Sequence, residues 1–347
     1  MARIGVMTFL HNDNYGSCLQ AYALQCVLTE LGHDCEHIDY CPGRVEKLRN
    51  LITSGNHWKL VLEGMRKRQV RSAQSGAMRK SRAIPEFYRR RMKLSRPCAN
   101  RSELKRLSGK YEILLAGSDQ IWNPIWLNPA YFLRFASGNQ QKAAYAASLG
   151  VGVLPAPAKQ EKIRRWTADF GAISVREEAG ADLMEQMTGR RPAVMPDPVC
   201  LLPREAWEGI AADAPSASPY LLCYFIGENA AYWDRIRTLS RERGLPVFIL
   251  PVTAESYRQG FALLDGASPE AFLGAVREAA LVCTDSFHCL AFSAMFEREY
   301  VLFRRNRDGD PESRNSRIDQ FQKSWAEDGP DTLRRNGRLW LKENLKV

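Results

Sequence analysis

No two of the nine cysteines stand in C-x-x-C spacing, which removes the short-loop zinc and dithiol redox motifs. They lie at 18, 26, 35, 41, 98, 200, 223, 283 and 289, an odd and scattered set among mostly apolar neighbours. That usage suits a reducing cytosol, where cysteine serves as a small buried hydrophobe. No window holds 18 uninterrupted apolar residues, so no spanning helix is expected. The apolar start Ile4-Gly5-Val6-Met7-Thr8-Phe9-Leu10 is short and runs into His11-Asn12-Asp13-Asn14 without a small-residue cleavage site. It reads as a first buried strand and not as a signal peptide. A recognisable DNA- or RNA-binding module is also missing, and no nucleic-acid partner is expected.

What is present is the material of two globular domains: 347 residues, 45% apolar and 25% charged. The net charge of +10 is unevenly placed. Residues 44–106 hold 19 Lys/Arg against 4 Asp/Glu, a net of +15, which leaves the remainder at −5. Such a segment is either a solvated set of basic helical faces or a patch for an anionic partner, such as a membrane surface or a glycan.

The pattern along the chain alternates strand and helix. Residues 3–10 read as a strand, 11–16 as a polar loop and 17–31 as a helix closed by Gly32. Further strands are read at 35–40, 111–116, 142–149, 172–175, 193–195, 220–226, 246–250, 281–284 and 300–303. Helices are read within 44–106, from Arg176-Glu177-Glu178, and at 230–243, 268–278, 287–296 and 332–345. This is an α/β chain with parallel sheets. Its lobes are placed at 1–168 and 169–330, with the boundary near 165–172, the basic stretch inserted in the first lobe, and residues 331–347 packing back as a helix.

Candidate chemistry lies at strand-to-helix junctions, where open α/β sheets bind ligands. Cys283-Thr284-Asp285-Ser286-Phe287-His288 puts Ser286 and His288 at a helix N-terminus, which favours a phosphate or carboxylate. The alternative is that Ser286 only caps the helix and His288 is a satisfied core residue. Arg176, after Ile173-Ser174-Val175, offers a fork to an anion or else pairs with a neighbouring glutamate. Asp119, in Gly117-Ser118-Asp119-Gln120, is a candidate general base or a turn aspartate. Asn14-Tyr15-Gly16-Ser17 holds a ligand or merely turns, and Asp197 between two prolines reads as structural.

In order along the chain, these motifs resemble the polysaccharide pyruvyltransferase family. They are Asn14-Tyr15-Gly16-Ser17-Cys18-Leu19-Gln20, Gly117-Ser118-Asp119-Gln120-Ile121-Trp122-Asn123-Pro124, Ala144-Tyr145-Ala146-Ala147-Ser148-Leu149-Gly150, Ile173-Ser174-Val175-Arg176-Glu177, Asp197-Pro198, Thr284-Asp285-Ser286-Phe287-His288 and Ser316-Arg317-Ile318. The resemblance implies two Rossmann-like lobes facing a cleft, similar to the two-lobe GT-B-like glycosyltransferases. It also implies transfer of a pyruvyl group from phosphoenolpyruvate (PEP) to sugar hydroxyls of a surface polysaccharide or its lipid-linked precursor, with a pyruvate ketal as product. PEP would be the donor substrate, with no cofactor and no metal, bound mainly by the C-terminal lobe. Arg176 and His288 match the family's PEP contacts; Ser286 joins them, and His288, Asp119 and Arg176 are the catalytic candidates. Asn14, Tyr15, Gly16, Ser118, Asp119 and Gln120 are candidates for the acceptor side. The family has Gly after the histidine, where this chain has Cys289. A cytoplasmic location follows, with the basic segment 44–106 available to meet the inner membrane face. Two other readings stay open: a nucleotide-sugar-dependent glycosyltransferase of the same fold, and a non-catalytic glycan or nucleic-acid binder using the basic segment.

Overall fold

The structure is a computed structural model and describes residues 1–54, 75–305 and 316–346. Two all-parallel sheets organise it. The first comprises β1 (Arg3–Met7), β2 (Asp34–His37), β3 (Ile113–Ala116), β4 (Gln141–Ala147), β5 (Ala172–Val175) and β6 (Ala193–Val194), in the order β2-β1-β3-β4-β5-β6. The second comprises β7 (Leu221–Tyr224), β8 (Val247–Ile249), β9 (Ala262–Leu263), β10 (Leu281–Thr284) and β11 (Tyr300–Leu302), in the order β11-β10-β7-β8-β9. β3, β7 and β10 are buried at every residue, which is why they read as continuous apolar runs and not as alternating ones.

The connecting helices of the first lobe are α1 (Tyr15–Glu30), α2 (Arg44–Ser54), α3 (Ser75–Arg91), α4 (Arg101–Ser108), α5 (Pro157–Thr167) and α6 (Glu178–Thr188). Then come α7 (Arg204–Glu208), α8 (Ala230–Arg243), α9 (Pro269–Arg277), α10 (Phe287–Met295), α11 (Ser316–Glu327) and α12 (Gly329–Asn344). The basic stretch 44–106 is helical in α2, α3 and α4, while residues 92–100 run without helix and bridge His37 and Tyr40 through Leu94 and Cys98; its centre, residues 55–74, lies outside the described residues. No helix among the described residues is long and apolar enough to cross a membrane.

The lobe boundary read near 168 needs correction. β5 pairs onto β4 and β6 onto β5, so the first sheet runs to Val194 and the turns after its last two strands carry Arg176 and Asp197. Strand-helix alternation carries no mark of which sheet a strand joins, which is why the sequence misplaced it.

Strand order decides where a ligand can sit. Each sheet has one switch point, where the chain leaves in opposite directions from adjacent strands and opens a crevice past their carboxyl ends. In the first sheet it lies between β1 and β3, whose ends are level (Met7 opposite Ala116). In the second it lies between β7 and β10, where Thr284 stands opposite Tyr224. The segments after these strands carry Asn14 and the first turn of α1, Gly117 to Gln120, Ile226-Gly227 and Asp285-Ser286.

α1 joins the lobes. Tyr15 stacks on Phe272 at 4.8 Å and donates its hydroxyl to the Ala267 carbonyl at 2.7 Å. α12 returns to the first lobe: Trp340 packs on Tyr145 at 5.6 Å, Arg338 pairs with Glu30 at 2.7 Å, and Gln141 donates to the Asn344 carbonyl at 2.7 Å. The expected C-terminal helix packing back on a lobe is this one.

Candidate active site

The two switch points face each other, and a buried polar cluster lies between them. His288 enters from the second lobe on the first turn of α10, whose N-cap Ser286 accepts from the Cys289 amide at 3.5 Å. Its ring lies on Gly16, in the first turn of α1, whose N-cap Asn14 accepts from the Gly16 amide at 2.9 Å. Two helix N-termini, one per lobe, therefore converge on one imidazole, and both direct positive dipole ends at it. His288 Nε2 lies 3.4 Å from Asp197 Oδ2, yet it is buried without a hydrogen-bond partner.

Arg176 follows β5, and its side chain is 2% exposed. One terminal nitrogen bonds Asp197 Oδ2 at 2.5 Å; Asp119 and Glu177 each stand 3.9 Å from other nitrogens of the fork. The Phe287 ring covers the guanidinium at 4.6 Å. Burial opposes the charge of Arg176, but Asp197, Asp119 and Glu177 outweigh it and raise the pKa above the ordinary arginine value. Its Nε and second terminal nitrogen still lack hydrogen-bond partners. A buried cation with spare donors beside an unpartnered imidazole can accept an anion's oxygens.

Asp119 reaches this cluster through a left-handed backbone (φ 71°), a conformation Asp tolerates better than most residues. Its carboxylate accepts from the Ser17 hydroxyl and, at 2.8 Å, from the Gln120 amide. Burial pushes the Asp119 carboxyl up, but Arg176, His288 and those two donors together hold it below the usual value. Asp197 behaves alike: burial is outweighed by His288, Arg176 and the Val199 amide, which hold its pKa well below the carboxylate range. Ser118 also donates to Asp197, at 3.3 Å, and to the Ala146 carbonyl at 2.9 Å.

The structure thus gathers Arg176, Asp119, Ser118, Ser286, Gly16 and His288 as the motifs suggested, with one correction. Arg176 belongs to the first lobe, so the cluster is shared between lobes and not housed mainly in the C-terminal one. Asn14 is a cap, and the side chain of Tyr15 is built into the packing of the second lobe. Gln120, with its amide oxygen turned toward Arg317, accepts from both terminal nitrogens of that guanidinium at 2.8 and 2.7 Å. Cys289 does not disturb the start of α10.

Sequence reasoning gave no role to three members. Asp197 read as structural, yet it is the ionised hub between Arg176 and His288. Glu177, 1% exposed, accepts from Ser148 at 2.8 Å and faces Arg176. Arg317, at the start of α11, is buried beside the same turn as Asp119. Asp197-Pro198 and Ser316-Arg317-Ile318 were visible as motifs; their meeting with β5 was not.

Comparison with known proteins supplies the rest. A UDP-GlcNAc 2-epimerase from Neisseria meningitidis, solved with UDP-GlcNAc, superimposes with a TM-score of 0.55 at 9% identity over 99% of both chains. MnaA of S. aureus, solved with UDP, gives 0.50 at 10% identity over 99% of this chain and 91% of that one. At such identities these show a shared fold alone: two Rossmann-like lobes of the GT-B-like kind. No curated protein matches the chain significantly. The sequence model of the polysaccharide pyruvyl transferase family matches residues 14–306, which include every member of the cluster except Arg317. The chain belongs to the polysaccharide pyruvyl transferase family.

Proposed function

We propose that this transferase uses PEP as donor and places the pyruvyl group on hydroxyls of a sugar in a surface polysaccharide or its lipid-linked precursor, closing a ketal. The observation that carries this reading is the interlobe cluster itself. His288 Nε2 and two Arg176 nitrogens are buried where two helix N-termini meet, with carboxylates 3.4 to 3.9 Å away but no hydrogen bond made. PEP brings two anionic groups to such a place.

The chemistry balances without a further reactant. Protonation of PEP C3 makes C2 electrophilic. A sugar hydroxyl adds to C2, the C2–O bond to phosphate breaks, and a second hydroxyl closes the ketal. Of the two hydroxyl protons, one balances that gained at C3 and the other leaves with phosphate. In our reading His288 binds and neutralises the phosphate, aided by the α10 N-terminus and Ser286. Asp119 takes the acceptor proton. Its low pKa makes it a weak base while Arg176 holds it. An anion arriving at Arg176 weakens that hold and raises its proton affinity, so donor binding prepares the base.

We place the reaction in the cytoplasm, at the inner membrane face when the acceptor is lipid-linked. In support, α2 exposes Val45, Leu48 and Ile52 (67%, 58% and 62%) beside Arg44, Lys47 and Arg49, an arrangement suited to anionic headgroups.

Mass spectrometry of candidate glycans incubated with PEP tests the activity by the added pyruvyl mass, alongside phosphate release. His288→Ala should abolish both. Turnover near wild type in that variant would remove His288 from the mechanism, and binding of a nucleotide sugar in place of PEP would favour a glycosyltransferase.

A further inference from the structure

Arg317 is 7% exposed and projects from the first turn of α11. Its charge lacks the carboxylate partner that Arg176, the other buried arginine among the described residues, has in Asp197 at 2.5 Å; even the half-buried Arg305 reaches Asp285 at 3.3 Å. Arg317 instead grips one neutral oxygen, that of the Gln120 amide, with both terminal nitrogens, and its Nε is buried with no partner. Among the described residues no carboxylate stands within ion-pair distance of it. Burial, and then the charge of Arg176, lower its pKa to about 9, which leaves it charged at neutral pH and under-compensated. Glu177 and Asp119 offset part of this from beyond ion-pair distance, but a buried cation whose hydrogen bonds go only to an amide is costly, and the cost is relieved when an anion replaces the amide.

The place is right for the donor. Gln120 follows Asp119, whose carboxylate stands 3.9 Å from Arg176. The two guanidiniums therefore flank one turn at the first sheet's switch point. Gly150 packs on the Gln120 side chain so closely that a β-carbon there would meet its Cδ at 2.8 Å, so the side chain has its room only beside a glycine. An arginine fork suits the two coplanar oxygens of a carboxylate, and charge-assisted bonds are about twice as strong as neutral ones.

We propose that Arg317 anchors the carboxylate of the donor, and that the Gln120 side-chain oxygen occupies that carboxylate's place until the donor arrives. This rests on the PEP reading and assigns Gln120 to the donor side, not the acceptor side. His288 keeps the phosphate, and Arg317 fixes the other end of the molecule, so that C2 and C3 lie between them.

The test is calorimetric titration of wild type and variants with PEP and, separately, with inorganic phosphate, which lacks the carboxylate. Arg317→Ala should weaken PEP by about 100-fold, the loss of a charged fork, with phosphate affinity changed by no more than about 3-fold. Gln120→Glu covers the case in which Arg317→Ala fails to fold. It gives Arg317 a permanent carboxylate, so it should raise Tm, weaken PEP by at least about 10-fold and spare phosphate. An Arg317 that only holds the fold would give the rise in Tm without the loss of PEP. Equal weakening of PEP and phosphate, or PEP affinity unchanged in both variants, overturns the proposal. Wild-type protein that binds no PEP would instead overturn the donor assignment on which the proposal rests.

Discussion

Gly16 and His288 touch across the lobe boundary: a β-carbon on Gly16 would fall 2.0 Å from the imidazole Nδ1 and 2.2 Å from its Cγ. No real pair of atoms sits so close, so Gly16→Ala must displace the histidine, the first turn of α1, or the lobes themselves. Overpacking of this kind costs about 1–3 kcal/mol. If His288 holds the donor as proposed, displacing it by about 1 Å costs on the order of 100-fold in rate. Gly16→Ala should therefore lower the urea midpoint and cut kcat/KM by about that factor. Gly152→Ala is the control, since a β-carbon there meets nothing within 4 Å. Equal activity in the two variants would mean that His288 does not need this seat.

Asp197 makes a prediction about acid. Its carboxylate bonds Arg176 at 2.5 Å and lies 3.4 Å from His288. Asp197 and Asp119 are both held below the ordinary carboxylate pKa, Asp197 far below it. A group whose folded pKa is depressed stabilises fully above its unfolded pKa and loses that contribution as pH falls through the folded one. Stability of the wild type should therefore drop with acid as pH approaches the unfolded aspartate value of about 3.9, and keep dropping below it. Asp197→Asn should be less stable at neutral pH and show a flatter acid limb in urea midpoints taken from pH 3 to 7. Asp197→Ala, which strips the buried Arg176 of its closest counter-charge, should cost about 3–5 kcal/mol. Parallel acid limbs in wild type and Asp197→Asn would sink this account.

Much of this was legible in the chain because parallel strands and their caps leave strong local marks. Ile113–Ala116, Leu221–Tyr224 and Leu281–Thr284 are short apolar runs. Gly32 and Gly244 take left-handed backbones immediately past their helices. The junction residues Arg176, Asp119 and His288 were found because an anion site needs a strand end and a helix start. What escaped was long-range. β9 is two exposed residues at a sheet edge, with no pattern to read. The first lobe's extent depended on β5 pairing with β4, a contact made through space and not by spacing. Asp197 looked structural because its capping role, accepting from the Val199 amide at 3.1 Å, is real and local. Its second role depends on β6 lying next to β5. Arg317 sits 141 positions beyond Arg176, and nothing local to Ser316-Arg317-Ile318 announces the turn that holds it.

Tyr15 separates packing from acceptor recognition. It lies within the motif read as an acceptor-side candidate, but its ring stacks on Phe272 and its hydroxyl donates to Ala267. Tyr15→Phe keeps the ring and leaves that carbonyl without its donor, a loss of about 1 kcal/mol. The expected result is a lower Tm with the KM for the acceptor glycan unchanged. An acceptor KM raised severalfold at unchanged Tm would restore Tyr15 to the acceptor site.

Cys289 occupies the position where the family resemblance puts glycine, and the structure makes its thiol inert. It is fully buried, and burial pushes the thiol pKa up to about 12, so almost no thiolate forms at neutral pH. Cys41, by contrast, is exposed. Brief treatment of the native protein with iodoacetamide should tag Cys41, leave Cys289 untouched until urea is added, and preserve pyruvyl transfer. Early modification of Cys289 by mass mapping would contradict the burial. The substitution itself asks a second question. The Cys289 amide donates to Ser286 at 3.5 Å, so the side chain is not needed to start α10. Cys289→Gly should cost up to about 1 kcal/mol, the usual penalty for glycine in a helix, and bring no gain in turnover. A clear rise in kcat or fall in the KM for PEP would show that the thiol crowds the donor, and that the glycine serves close approach of the backbone to phosphate.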